Sequence, residues 1–251
     1  MRDYYAQRQM FGIVTPSANS CVQPETDSMR PIGVTNQVAR MYTADLKVTS
    51  DADFSRAMDL LFESIGPAVD SVMTCKPDHL ILGISALTVW GGTLDAAQKL
   101  KKDMIERAGG DIDVTLPSDA ILAALKAHGV KKRIAVVEPY YPVIQSRMES
   151  FFKEAGYEVV KINHLQGPQF SQYTRVSSQY LIDAIRSIDG EDVEALVQFG
   201  ANLPMAGIAD EAERWLGKPV IAVNIATYWH ALRTCGLKDQ VKGYTRLMSE
   251  F

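Results

Sequence analysis

Short runs of β-branched and other apolar residues alternate along this chain with longer stretches in which apolar residues recur at every third or fourth position. The short runs predict strands, and the longer stretches predict amphipathic helices. We predict strands at Phe11 to Thr15, His79 to Gly83, Arg133 to Val137, Glu158 to Ile162, Ala195 to Phe199 and Val220 to Val223, with weaker candidates at Val38 to Tyr42 and Ile112 to Val114. We predict helices at Asp53 to Val72, Gly92 to Ala108, Ser118 to His128, Pro142 to Ala155, Ser177 to Ile188, Ala209 to Leu216 and Ala226 to Cys235. This alternation is typical of a parallel sheet covered on both faces.

The two halves of the chain repeat one arrangement of turns. In each half one strand ends in a proline-containing polar turn, and a later strand ends in a glycine-centred turn; the turns are Thr15 to Asn19, Gly83 to Ala86, Glu138 to Tyr141 and Phe199 to Asn202. We therefore predict an α/β fold of two similar lobes, each a mostly parallel four-stranded sheet flanked by helices, related by a pseudo-twofold axis. The predicted first lobe comprises residues 1–116 plus 227–251, and the predicted second lobe comprises residues 117–226.

The four turns predict a binding site between the lobes. Ligands of open α/β sheets bind beyond the carboxyl ends of the strands, where all four turns lie. Small and hydroxylic residues followed by helix starts present N–H and O–H groups to an anion, which suits a carboxylate. Ser85 and Thr88 are such residues, although they could simply cap the helix that follows. Asn19 and Ser17 belong to a polar turn that could equally be an ordinary Asx turn, and Gly200 either admits a ligand close to the backbone or serves its own turn.

Composition, charge and motif content limit the classes of function that we expect for this chain. The 251 residues carry a formal net charge of -4, and their Lys and Arg residues are scattered, so we expect no nucleic-acid partner. The apolar runs are strand-sized and the first ten residues lack an apolar core, so we expect a cytoplasmic protein without membrane contact. Neither the three cysteines nor the four histidines have metal-ligand spacing, and no phosphate-binding glycine motif or nucleophile elbow occurs. We therefore expect no metal and no cofactor.

Several motifs occur together in an order that resembles a known family. They are Pro-Ser-Ala-Asn at Pro16 to Asn19, Val-Glu-Pro-Tyr at Val137 to Tyr140, Ser118, the stretch Leu216 to Leu237, and Lys-Gly-Tyr-Thr-Arg-Leu-Met at Lys242 to Met248. Together they resemble the maleate isomerase and arylmalonate decarboxylase branch of the aspartate/glutamate racemase superfamily. The resemblance implies that Asn19, Tyr140 and Ser118 contact a substrate carboxylate.

The chain departs from that family at the catalytic cysteines. The resemblance implies one cysteine in each lobe, and these positions fall on Ile84 or Ser85 and on Phe199 or Gly200, none of which is a cysteine. A serine hydroxyl without a base is a far poorer nucleophile and proton carrier than a thiolate. We therefore expect neither two-cysteine racemisation nor thiolate-assisted isomerisation. The nearest thiol, Cys21, is expected to be a packing residue.

The chemistry that remains depends on hydroxyl groups. Tyr140 and Ser85 are the candidate catalytic residues; Tyr140 would act as acid or base if its neighbours lower its pKa, or would only hydrogen-bond a carboxylate. His164, after another strand, is an alternative acid or base. The candidate substrate-binding residues are Asn19, Ser17, Ile84, Thr88, Ser118, Tyr141, Phe199, Gly200, Ala201 and Asn202.

We expect a lyase, such as a decarboxylase, or an isomerase that acts on a small mono- or dicarboxylate through an enolate-type intermediate held by the turns. The alternative is a non-catalytic carboxylate-binding or regulatory protein derived from the same fold. A third hypothesis is an isomerase that uses Cys21. Enzymes like this often form homo-oligomers, but the sequence leaves the oligomeric state open.

Overall fold

Two parallel four-stranded sheets form the centre of the protein, for which a computed structural model describes residues 4–251. The first sheet contains β1 (Gln9–Pro16), β2 (Val34–Met41), β3 (His79–Leu82) and β4 (Val114–Thr115). The second contains β5 (Arg133–Glu138), β6 (Glu158–His164), β7 (Ala195–Gln198) and β8 (Val220–Ala222). The eight predicted strands are thus all found, with ends that shift by a few residues.

The two sheets have the same strand order, β2-β1-β3-β4 and β6-β5-β7-β8. Every pairing is parallel: β1 pairs with β2 from Gln9 opposite Val34 onwards, and β5 pairs with β7 from Ile134 opposite Ala195 onwards. In each sheet the chain leaves the first strand to one side and returns on the other, so the order reverses between β1 and β3 and between β5 and β7. Such a reversal opens a crevice at the carboxyl ends of the two strands. The four turns singled out in the sequence follow these four strands.

Helices cover both sheets. They are α1 (Val22–Ser28), α2 (Asp51–Met73), α3 (Ala86–Val89), α4 (Leu94–Arg107), α5 (Pro117–Ala127), α6 (Gln145–Glu154), α7 (Ser178–Ile188), α8 (Ala206–Leu216), α9 (Val223–Thr234) and α10 (Arg246–Glu250). Short 3₁₀ helices lie at Pro142–Ile144 and Phe170–Arg175. The apolar faces of the α-helices pack on sheets whose strands β3, β5 and β7 are buried except at Arg133, which is why those strands lack the apolar/polar alternation of a half-exposed sheet. Within residues 4–251, no helix combines the length and apolar character needed to cross a bilayer.

The helix predictions differ from the structure mainly in short segments. Helices α1, α3 and α10 were not predicted, because four to seven residues give too few turns to show a period. The segment predicted as one helix from Pro142 begins as a 3₁₀ turn. Gly217 ends α8 with a φ of 66°, in the left-handed region that glycine adopts without strain, as its position after the helical run indicates.

The limits of the lobes stay a prediction. The strands of the first sheet lie within the predicted first lobe, and those of the second sheet lie within the predicted second lobe. Helix α9 runs through the predicted boundary after residue 226, however, and packs against α5, α1 and β3. It also packs against β8, so it contacts strands of both sheets.

Candidate functional site

A small cavity lies where the turns from the two sheets meet. Its volume is about 40 Å³, enough for the centres of a few water molecules. It is lined by Pro16, Asn19, Met58, Leu61, Ile84, Ala86, Pro139, Tyr140, Phe170, Tyr173, Ala201 and Asn202. Each of the four turns contributes, so the structure brings together the loops that the sequence placed around one crevice.

Ser85 and Tyr140 form a buried pair across this junction. The Ser85 Oγ lies 2.7 Å from the Tyr140 hydroxyl oxygen, and either atom could be the donor. The backbone N–H of Ala201 donates to the Ser85 Oγ over 3.3 Å. Ser85 is fully buried and Tyr140 is 5% exposed. Three of the four turns are therefore joined at one hydroxyl group.

Burial holds Tyr140 in its protonated form. Removal from water raises the pKa of its phenol well above the usual value, the contact with Ser85 opposes this, and the charge of Glu138 adds to it. The pKa shift is opposite to the lowering that was the condition for Tyr140 to act as a base. In this environment Tyr140 can donate a hydrogen bond or a proton, but it does not act as a base.

A buried carboxylate fixes the turn that carries Tyr140. Glu138 is fully buried, accepts the backbone N–H of Tyr140, and hydrogen-bonds the Nδ1 of His164. The Nε2 of His164 lies 3.2 Å from the Oε1 of Gln145. Burial raises the pKa of Glu138, and the His164 hydrogen bond works against that shift. His164 does not line the cavity, and it contacts the turn of Tyr140 through Glu138.

Asn19 and Asn202 connect the two lobes at the cavity wall. The Oδ1 of Asn19 accepts the N–H groups of Cys21 and Val22, both at 2.9 Å, and its Nδ2 donates to the Ala201 carbonyl at 3.1 Å. Asn202 accepts the N–H of Ser20 at 2.9 Å and donates to the carbonyl of Phe170 at 2.6 Å. Both amides therefore hold the turns that surround the cavity.

Other predicted site residues do not line the cavity. The Ser17 hydroxyl donates to the Thr43 carbonyl, the Thr88 hydroxyl to the Ser85 carbonyl, and the Tyr141 hydroxyl to the Val48 carbonyl. Phe199 is fully buried and packs edge-on against Phe152. Ser118 is fully buried in the first turn of α5, and its Oγ has no hydrogen-bond partner in the described part of the chain. Of the predicted set, Asn19, Ile84, Tyr140, Ala201 and Asn202 line the cavity.

Gly200 stands where no side chain fits. A Cβ built on it would lie 2.3 Å from the Cδ of Pro139 and 2.9 Å from its Cγ. The Gly200 φ lies outside the left-handed region, so the restriction comes from the proline ring rather than from backbone conformation. The residue is required for close approach of the two turns of the second lobe.

Tyr173 is a cavity residue that the sequence did not indicate. It lies in the Phe170–Arg175 3₁₀ helix, and its ring packs over Gly167, where a Cβ would be only 2.1 Å away. Its side chain is 4% exposed, and its hydroxyl has no hydrogen-bond partner among residues 4–251. Burial raises its pKa well above the usual value, so the hydroxyl keeps its proton. A buried donor without an acceptor is rare in folded proteins, and a ligand atom would satisfy it.

The cysteines lie away from the cavity lining. Cys21 is buried, Cys75 is exposed and Cys235 is half-buried, and none of them lines the cavity. Burial, with a smaller effect of the Glu25 charge, raises the pKa of Cys21 to about 12. Its thiolate fraction at neutral pH is therefore very small. Among the described residues, no cluster of three or more His, Cys, Asp or Glu side chains could hold a metal ion.

Comparison with known sequences identifies the family. The profile of the arylmalonate decarboxylase family matches residues 58–248, which is most of the chain. The chain belongs to the arylmalonate decarboxylase family. The family assignment agrees with the resemblance of the strand-end turns and the C-terminal motifs.

Individual relatives of this family member carry two different activities. The chain is 28% identical over 257 residues to a maleate isomerase of Pseudomonas putida, an alignment that covers 97% of this chain and 98% of the relative. It is 28% identical over 173 residues to the arylmalonate decarboxylase of Bordetella bronchiseptica, covering 68% of this chain and 70% of that one. The relatives are isomerases and decarboxylases, which supports an enzyme of this family.

Solved structures of the family share the fold. The Nocardia farcinica maleate cis-trans isomerase bound to TRIS superposes with a TM-score of 0.85 at 21% identity, covering 96% of this chain and 98% of that chain. A liganded double mutant of arylmalonate decarboxylase superposes with a TM-score of 0.81 at 22% identity, covering 97% of this chain and 100% of that chain. The two-lobed α/β architecture is thus that of the family.

Proposed function

We propose that this family member is a decarboxylase of small malonate-type carboxylates that uses hydroxyl groups, and no thiol, to protonate an enolate. The observation that supports this most directly is a set of three buried hydroxyls: those of Tyr140 and Tyr173, which line the cavity, and that of Ser85, which contacts the Tyr140 hydroxyl. Both phenols have raised pKa values, so they act as donors. Because none of the described lining residues is a carboxylate, imidazole, amine or thiol, the donor-rich site suits a reaction that begins by losing carbon dioxide rather than by losing a proton.

The proposed reaction needs only a polar end and an apolar end of the cavity. The bond between the α-carbon and the leaving carboxylate breaks, and its electron pair forms the enediolate of the carboxyl group that stays. Carbon dioxide leaves, one hydroxyl donor protonates the α-carbon, and water restores the proton of the donor. Met58, Leu61 and Ile84 supply apolar surface, which favours a carboxylate that loses its charge as it departs. The hydroxyls and backbone N–H groups stabilise the enediolate charge.

The proposal assigns the developing negative charge to the turn Phe199 to Asn202. The N–H of Ala201 already points at the Ser85 Oγ. The N–H of Asn202 has no acceptor in the described part of the chain, and Asn202 lines the cavity. A backbone donor aimed at a developing oxyanion contributes about 10²–10³ in kcat in other enzymes.

Cysteine-independent chemistry is part of the proposal. The positions where the family resemblance places thiols hold Ile84 or Ser85 and Phe199 or Gly200. At Gly200 a cysteine would collide with the Pro139 ring unless the backbone moves. The high pKa of Cys21 makes it a poor substitute for a catalytic thiol. These points favour decarboxylation over thiolate-assisted isomerisation.

A ligand screen followed by product analysis tests the proposal. Malonate, substituted malonates, maleate and hydroxy- and amino-dicarboxylates are screened by thermal shift, since a ligand of the native state raises its melting temperature. Compounds that bind are then incubated with enzyme in D₂O, and carbon dioxide release and α-deuteration of the product are followed by NMR. We expect a malonate to lose carbon dioxide. Ser85→Ala should be slowed because it removes the contact with the Tyr140 hydroxyl, and Ser17→Ala, whose hydroxyl donates to the Thr43 carbonyl, should be unaffected.

Two other outcomes would replace the proposal. Saturable binding of a carboxylate without turnover, abolished by Asn19→Ala, would favour a carboxylate-binding protein. Turnover that disappears in Cys21→Ala would favour an isomerase that uses this thiol.

A further inference from the structure

The side chain of Glu25 is half-buried, and its carboxylate forms no ion pair with a cationic side chain among residues 4–251. Glu25 is on α1, and its Oε2 accepts the Nδ2 of Asn224 on α9 at 2.7 Å. Its Oε1 accepts the backbone N–H of Ala206, the first residue of α8, at 3.1 Å. Burial raises its pKa, and these N–H donors oppose the shift. Because all these partners are donors, both carboxylate oxygens act as acceptors.

Asn224 transmits the position of Glu25 to the cavity. The Nδ2 of Asn224 also donates to the Ala201 carbonyl at 3.0 Å, where it joins the Nδ2 of Asn19 at 3.1 Å. Asn224 is itself buried, so the two acceptors fix its amide plane. Glu25 thus contacts the turn that carries the proposed backbone donors through one intervening side chain.

The hydrogen bond from Asn224 to the Ala201 carbonyl also affects the direction of the Asn202 N–H. The Ala201–Asn202 peptide is trans, so its C=O and N–H point in opposite directions. Holding the Ala201 carbonyl from one side therefore fixes the direction of the Asn202 N–H, which has no acceptor within residues 4–251. If Asn224 is lost, only the Asn19 amide holds the carbonyl, and the peptide is freer to rotate so that the carbonyl oxygen faces the charge that the N–H should stabilise.

We propose that Glu25 and Asn224 are positioning residues that orient the Ala201–Asn202 peptide so that its N–H faces the reacting carboxylate. The inference rests on the proposed function for its catalytic consequence, but the orientation itself is a property of the free protein. Glu25→Gln tests it, because the new side-chain NH₂ would face either the Asn224 Nδ2 or the Ala206 N–H, and two donors cannot bond each other. Asn224→Ala removes the connection and leaves Glu25 at the start of α8.

Glu213 provides a matched control. It is a buried glutamate whose carboxylate also accepts backbone N–H groups, those of Val220 and Arg246, and burial raises its pKa as well. It does not line the cavity. Glu213→Gln therefore introduces the same chemical change into a similar environment away from the turn.

The first readout is amide hydrogen exchange of residues 199–203 in the free protein. We expect exchange at this turn to be about tenfold faster in Glu25→Gln and in Asn224→Ala, and unchanged in Glu213→Gln. Equal acceleration in Glu213→Gln would show a general loss of stability, and acceleration in Glu25→Gln but not in Asn224→Ala would show that Glu25 does not act through Asn224. Either result overturns the proposal.

The second readout is turnover of the malonate that the screen identifies. We expect both Glu25→Gln and Asn224→Ala to lower kcat about tenfold with little change in KM, because the oriented N–H acts on the transition state. An increase in KM with kcat unchanged would contradict this role. If the wild-type protein turns over no carboxylate, the proposed function fails, and the exchange measurement still decides whether Glu25 orients the turn.

Discussion

Replacing Gly200 by alanine places a methyl group where the Pro139 ring already lies. The new Cβ would be 2.3 Å from the Cδ of Pro139, far inside an ordinary contact of 3.4–4 Å. The neighbouring atom belongs to a rigid ring rather than to the far end of a flexible side chain. One of the two turns must therefore move by about 1 Å, which interiors packed at crystal-like density resist.

The expected loss of folding stability in Gly200→Ala follows from this overlap. Overpacking a well-filled interior costs about 1–3 kcal/mol. With a urea m-value of roughly 2 kcal/mol/M, a loss of about 2 kcal/mol lowers the midpoint of unfolding by about 1 M. Because the displaced turn carries the N–H groups of Ala201 and Asn202, we expect ligand binding to weaken as well.

Urea unfolding followed by circular dichroism measures the effect, with Gly207→Ala as the control. Gly207 lies in α8, and a Cβ there would meet nothing within 4 Å. We expect Gly207→Ala to leave stability unchanged or to raise it by up to about 1 kcal/mol, because alanine favours the helix. A Gly200→Ala variant as stable as the wild type would refute the claim that Pro139 excludes a side chain at this position.

Three further substitutions or treatments test other parts of the site and fold. Tyr173→Phe should weaken malonate binding about tenfold in calorimetry without loss of stability, because its hydroxyl has no partner among the described residues. Tyr180→Phe, at an exposed site, should change neither binding nor stability, and unchanged binding in Tyr173→Phe would remove this residue from the site. Iodoacetamide at pH 8 should label Cys75 and not Cys21, because the Cys21 thiol is buried and its pKa is raised to about 12. Mass spectrometry identifies the labelled residue, and labelling of Cys21 before Cys75 would contradict this expectation. Ser50→Ala removes the side chain that caps α2 and should lower the free energy of unfolding in urea by about 1 kcal/mol. An unchanged free energy of unfolding would show that this cap does not stabilise the protein.

The strands could be predicted from the sequence because burial on both faces leaves continuous apolar runs. The pattern at Ala195–Gln198, for example, is fully buried in the structure and apolar except for its last residue. The glycine after α8 likewise indicated the end of a helix. Short helices such as Val22–Ser28 escaped prediction because seven residues give too few turns to show a period, although Asn19 just before this helix accepts the N–H groups at its start.

The candidate site could be predicted only in part. Strand-end turns indicated Asn19, Tyr140 and the turn at Gly200, since position after a strand is visible in the sequence. Tyr173 gave no such signal, because it reaches the cavity from a 3₁₀ segment held by packing over Gly167. The direction of the Tyr140 pKa shift was also out of reach, since it depends on burial and on the neighbouring Glu138.

Replacing all three cysteines tests most directly the claim that hydroxyl groups, and not thiols, carry out the proposed catalysis. Carbon dioxide release from the malonate found in the screen is compared for the wild type, for a Cys21→Ala/Cys75→Ala/Cys235→Ala variant and for Tyr140→Phe. We predict that the cysteine-free variant retains the wild-type kcat and that Tyr140→Phe loses about 100-fold. Loss of turnover in the cysteine-free variant, with Tyr140→Phe unaffected, would contradict hydroxyl-based catalysis.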